Sequence, residues 1–124
     1  MKIDVSVGEC ADKAGILMIK LEKIRDREKR IHVQNELDRI LPVLQEAGLS
    51  TDSDDFKRLL AINETLWEIE DAIRIKEAKK EFDDAFIELA RSVYKNNDRR
   101  AAVKREINEA FGSDLIEEKA YPDY

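Results

Sequence analysis

Two polar residues occupy positions where an apolar repeat calls for hydrophobic ones. From Phe82 onward the sequence steps by three and four residues through Phe86, Leu89, Val93, Asn96, Arg100, Val103, Ile107 and Ala110. That spacing puts one stripe on one face of a helix. Asn96 and Arg100 therefore fall in its core positions. A buried guanidinium without an anion is prohibitively costly, so Arg100 needs a partner, a ligand or an outlet to water. Three arrangements meet that demand. One is an internal polar layer that fixes helix register, as polar residues do at coiled-coil core positions. Another is a local rotation that turns both side chains into solvent. The third is a pocket for a small anionic ligand.

The charge around these residues is one-sided. From Arg91 to Arg105 there are six cations, Arg91, Lys95, Arg99, Arg100, Lys104 and Arg105, against one anion, Asp98. Arg91, Lys95 and Arg99 are four apart and line one helix face, with Tyr94 among them. Such a row suits phosphate, carboxylate or a nucleic-acid backbone. Glu64, Glu68, Glu70 and Asp71 supply matching anions upstream, for pairing within the chain or between two copies. No aromatic interleaving or DNA-binding motif accompanies the row, and the chain is acidic overall at -6, which weighs against nucleic acid. The candidate ligand set is Arg91, Asn96, Arg100, Lys104 and Glu70. In it the cations clamp carboxylates or phosphates and Glu70 orients a polar group, through preorganised electrostatics.

Other chemistry is weakly signalled. Glu28, His32 and Glu36 share a face at four-residue spacing, but one histidine in the chain and a charged neighbourhood describe a solvated surface. No Gly-rich phosphate loop, zinc spacing or nucleophile–His–acid set is present, so no cofactor or metal is expected. Ser92 near Lys95 is commonplace in a helix. Cys10 is the only cysteine, which excludes an intrachain disulfide and reads as a small buried hydrophobe in a cytoplasmic protein. No apolar run approaches the ~20 residues of a membrane span.

The elements that must position these groups are helices. The chain of 124 residues carries 40% charged residues but four glycines and two prolines, too few for an all-β sandwich with a turn every 8–12 residues or so. Residues 2–7 alternate apolar and polar, which predicts a short strand-like segment. Ser6 and Glu9 form a capping box, so the first helix starts at Val7. Its stripe is Ala14, Leu17, Leu21 and Ile24, and Gly15 within it marks a close helix crossing. A turn at Arg25–Asp26 precedes the stripe Val33, Leu37, Ile40, Leu44 and Ala47, with a kink expected at Pro42 and a stop at Gly48. A third stripe runs through Leu59, Ile62, Leu66, Ile69 and Ile73 and loses phase at Lys76–Glu81, which places a turn near 77–83.

The prediction is a single all-α domain of two long helical hairpins. Residues 1–48 hold the strand-like segment and first hairpin, 49–53 a linker, 54–112 the second hairpin and 113–124 a short turn and tail. Antiparallel pairing in the second hairpin sets Asn96 and Arg100 beside Asn63 and Glu64. Its two helices, at roughly 35 and 45 Å, outreach the first pair and leave apolar surface for a second copy to cover.

Three runs carry a resemblance: Ser6-Val7-Gly8-Glu9 with Asp12-Lys13; Leu66-Trp67-Glu68-Ile69-Glu70-Asp71-Ala72-Ile73-Arg74; and Ala90-Arg91-Ser92-Val93-Tyr94 leading to Asn97-Asp98-Arg99-Arg100-Ala101. Together they resemble a family of small bacterial and phage-borne proteins of unknown function, over nearly the whole chain. A looser likeness is to the all-helical chorismate mutases, intertwined dimers that hold a dicarboxylate between cations. That likeness implies a role for Arg91, Arg100, Lys104 and Glu70, although the family's spacing is not reproduced. The expected function is a homodimeric interaction or accessory protein. The alternatives are a small-anion binder or mutase-like enzyme, and weak nucleic-acid binding through residues 91–105.

Overall fold

The computed structural model describes residues 1–123; Tyr124, the last residue of the expected tail, lies outside them. Four helices follow one another: α1 (Val7–Lys23), α2 (Arg27–Glu46), α3 (Asp54–Lys79) and α4 (Asp84–Ala110). They pair as α1 with α2 and α3 with α4, and α1 also packs on both α3 and α4. The all-α, bundle-like class read from the periodicity is thus the observed one.

Each helix begins at a side-chain cap. Ser6 accepts a hydrogen bond from the Glu9 amide (3.1 Å), Asp26 from Lys29 (3.0 Å), Ser53 from Phe56 (3.2 Å) and Asp83 from Phe86 (3.0 Å). These oxygens satisfy donors that a helix start leaves free. Only half of the capping box forms at α1, because the Glu9 carboxylate turns to Lys104 instead (2.7 Å). Arg30 closes the other end of α1 by donating to the carbonyls of Leu21 and Ile24. The turn between α3 and α4 lies where the stripe changes phase. Lys80 takes the left-handed conformation there (φ 55°), and Lys76 reaches across to Asp83 (2.8 Å) and Glu81 (3.4 Å). α2 continues past Pro42 to Glu46.

One core joins the four helices. Ala11, Ala14 and Leu17 of α1 meet Val33, Leu37 and Leu44 of α2, Phe56 and Leu59 of α3, and Val103 and Ile107 of α4, with Leu49 of the linker among them. α1 is the shared wall of this core, which its small residues allow by letting neighbours approach.

The structure corrects three expectations. Residues 2–5 form no strand; Ile3 and Val5 are exposed, because no second segment offers the ladder of backbone bonds that a strand requires. The close crossing is at Gly8 and not at Gly15. A Cβ on Gly8 would lie 2.5 Å from the Lys104 carbonyl oxygen, whereas one on Gly15 would meet Leu60 at 3.6 Å, an ordinary contact. Residues 113–117 make no helical turn. Ser113 bridges instead, accepting from the Val7 amide (3.3 Å) and donating to the Leu115 carbonyl (2.9 Å).

Urea unfolding separates the two glycines. Gly8→Ala is expected to destabilise by about 1–3 kcal/mol, because backbone rather than a side chain must shift. Gly15→Ala is expected to be neutral or to stabilise by up to about 1 kcal/mol through helix propensity. Equal midpoints for the two variants would contradict the crossing at Gly8.

Candidate functional site

The inner face of α4 carries a row of polar residues four apart: Asn96, Arg100, Lys104 and Asn108. Asn96, Lys104 and Asn108 are buried and Arg100 is half-buried. A helix advances ~6 Å in four residues, so the row is a seam along the contact with α1 and α3. At its lower end Asn108 Oδ1 accepts the Gly8 amide at 2.6 Å. Lys104 Nζ lies 2.7 Å from Glu9, 3.7 Å from Asp12 and 3.1 Å from Glu117. Asp12 Oδ1 accepts from the Asn63 side-chain amide at 2.8 Å, and the carbonyl of that same amide accepts from Arg100 at 3.3 Å. A continuous polar chain therefore runs Lys104–Asp12–Asn63–Arg100 between three helices. Among the described residues, no buried side-chain polar atom is left without a hydrogen-bond partner.

Charge balance follows from these contacts. Burial works against the Lys104 ammonium, yet the hydrogen bonds it donates to Glu9 and Glu117 and the nearby charge of Asp12 outweigh it and hold its pKa above the lysine range. The hydrogen bond from Lys104 holds Glu117 below the usual glutamate value, with Lys119 and Arg100 adding to the effect. Burial pushes the Cys10 thiol up, away from thiolate chemistry.

Arg100 stands where the seam opens. Beyond it, a groove of about 540 Å³ lies between α3 and α4, with Ile16 of α1 also in its lining. Leu66 and Trp67 form its apolar floor, Asn63, Asn97 and Arg100 one end, and Glu70, Asp71 and Arg74 the other. Arg74 and Glu70 pair at 3.6 Å. Among the described residues, no carboxylate lies within ion-pair distance of Arg100, which donates to the neutral Asn63 carbonyl.

The expected ligand set is divided by this geometry. Arg100 and Glu70 share the groove. Lys104 lies below it, occupied by three carboxylates. Asn96 is buried but spends its amide on the Ser92 carbonyl of its own helix (2.8 Å). Arg91 is exposed and bound to Glu88 (2.7 Å). Asn63 is beside Arg100, as antiparallel pairing predicts. Gly8, Asp12, Asn108 and Trp67 were not among the candidates. Asn108 continues the four-residue spacing of its row, a signal visible in the sequence; Asp12 among Ala11, Ala14 and Gly15 is a weaker one. Glu28 and His32 are exposed, and Glu36 pairs with Lys13 at 2.8 Å. Among the described residues no group of three metal-ligating side chains forms, and no helix is long and apolar enough to cross a membrane.

A model of a family of unknown function, DUF6165, matches residues 1–123. The chain belongs to that family. No curated protein and no solved structure matches it. The buried seam that this DUF6165 chain builds joins residues from Gly8 to Glu117, so it spans almost the full length that the family model covers.

Two measurements probe the seam. Lys104→Met leaves the buried Asp12 carboxylate without its cation and is expected to cost about 3–5 kcal/mol in denaturant unfolding. Arg91→Ala, on an exposed pair, is expected to leave the midpoint unchanged. Glu117 titrates below its usual 4.5, so its contact with Lys104 is complete above that pH and is lost as pH falls through the depressed value. Amide NMR signals of residues 116–119 are expected to shift over that acid range; shifts centred at or above pH 4.5 would contradict the contact.

Proposed function

We propose that this protein is a homodimeric interaction protein of the cytoplasm, self-associating through the overhanging ends of α3 and α4. The carrying observation is the apolar surface on that overhang. The buried apolar core ends at Ile69 along α3 and at Val103 along α4. Beyond it Ile73, Phe86, Leu89 and Val93 are half-buried, and Ile75, Phe82 and Ile87 are 56%, 57% and 53% exposed. α3 and α4 have 26 and 27 residues against 17 and 20 in α1 and α2. A two-helix projection of that kind has no third layer of its own.

Charge supports a second copy as the occupant. Glu64 and Glu68 on α3, and Lys95 and Arg99 on α4, have no ion pair within 4.0 Å among the described residues. A two-fold contact presents the same patch from both sides, so acidic α3 of one protomer meets basic α4 of the other twice over. A small-anion clamp draws less support, since of its three cations Lys104 and Arg91 are paired with carboxylates and, among the described residues, only Arg100 faces the groove without one. A single cysteine, with no intrachain disulfide to form, suits a reducing compartment.

Light scattering at micromolar concentration tests this. The expected mass is twice the 14.4 kDa chain. Phe82→Glu combined with Ile87→Glu is expected to give a monomer of unchanged helical content. A wild-type monomer, or a dimer unaffected by both changes, would overturn the proposal.

A further inference from the structure

The groove beside Arg100 presents an ordered set of groups. Along α3, Asn63, Trp67 and Asp71 are four apart, so each step advances ~6 Å. Asn63 holds the Arg100 guanidinium, Trp67 offers an aromatic face and Asp71 stands with Glu70. Read from the bundle body toward the hairpin tip, the groove is therefore cation, aromatic, and an end of net negative charge in which Arg74 pairs with Glu70 and Asp71 stands beside them. A small dianion does not suit it, because the two cations of the groove, Arg100 and Arg74, are matched by Glu70 and Asp71, and Arg74 is already paired with Glu70. An extended segment that reads anion, aromatic, cation does.

The chain contains one. Lys119, Tyr121 and Asp123 are two apart, and two residues of extended chain advance ~6.6 Å, close to the spacing of the groove groups. This segment already runs along α4. Ser113 is fixed at Val7, Glu117 at Lys104 and Glu118 at Arg105 (3.1 Å), and Tyr121 to Asp123 lie against Tyr94, Asn97 and Asp98. Asn97 is shared between that resting place and the groove.

Direction decides which copy can enter. The tail runs from Lys104 toward the hairpin tip, so within its own chain Lys119 would come beside Arg100 and Asp123 beside Asp71. Both juxtapositions are repulsive, and the segment stays at the rim. A segment from a second copy related by a two-fold axis across the helices runs the opposite way. It brings Asp123 to Arg100, Tyr121 to Trp67 and Lys119 to Asp71, next to the Arg74–Glu70 pair. We infer that this groove seats the C-terminal segment Lys119–Asp123 of a second copy. The inference rests on the dimer reading and adds a reciprocal exchange of tails to it.

Trp67 is the only tryptophan, so its emission reports on the groove directly. A chain shortened after Glu118 keeps the Glu117 and Glu118 contacts and exposes the groove to a synthetic peptide of residues 117–124. The peptide is expected to shift Trp67 emission saturably, and the same peptide with K119E and D123K to bind about tenfold more weakly or worse. Arg100→Ala is expected to cause a similar loss. The double swap K119E/D123K in the full chain, which removes no residue, is expected to raise the dimer dissociation constant about tenfold as well. Unchanged emission, equal binding of the two peptides, or a full-chain swap with wild-type dissociation would overturn the inference. If the shortened chain still has dimer mass while the peptide is inert, only the tail exchange fails; a wild-type monomer removes the dimer itself.

Discussion

The backbone of Gly8 sits against the Lys104 carbonyl, and the rest of the architecture depends on that approach. With no side chain at residue 8, the first turn of α1 comes close enough for Asn108 to take its amide (2.6 Å). The same approach brings Glu9 and Asp12, one and four residues on, into reach of the Lys104 ammonium. Asp12 in turn reaches Asn63 of α3. A single close contact between two helices thus brings the third into the same polar chain.

That chain explains why the interior tolerates so many polar groups. A buried charge is costly alone and tolerable when each of its hydrogen-bonding positions is used. Lys104 has three carboxylates, and Asn63 uses both ends of its amide, donating to Asp12 and accepting from Arg100. The seam is therefore closed, and its role is to fix how α1 crosses the second hairpin. Arg100 alone stands at the boundary, tied inward by a neutral partner and turned outward to a groove with an aromatic floor. Open chemistry in this protein begins at that residue.

The long hairpin sets the molecule's outward behaviour. α1 and α2 are too short to cover all of α3 and α4, and the uncovered part carries apolar side chains such as Ile75, Phe82 and Ile87. Phe82 and Phe86 pack edge to face at the tip (5.2 Å), which stiffens the projection without hiding it. The tail completes the picture by crossing from Ser113 to the groove rim, held by Lys104 and Arg105. The exposed apolar tip and the tail that runs along α4 are the two features on which the proposed dimer and its exchange of tails rest.

Helical periodicity, caps and breakers were enough to place all four helices. Ser6, Asp26 and Gly48 mark ends locally, through groups within one turn of themselves, and the phase change at Lys76–Glu81 marks the hairpin turn. The neighbourhood of Asn63 and Arg100 was also legible, since antiparallel register follows from the position of one turn. Other features needed the fold. Whether Glu9 caps its own helix or binds Lys104 depends on how near α4 lies, ninety-five residues away. The alternation of residues 2–7 promised a strand, but a strand exists only where a second segment offers its backbone. The grouping of cations was misleading for a similar reason: helical spacing assigns a residue to a face, and only packing says what that face meets. Arg91 met Glu88 one turn back on its own helix, a pairing that local spacing does encode; Lys104 met three acids and Arg100 a groove, and those surroundings come from elements whose approach no local pattern encodes.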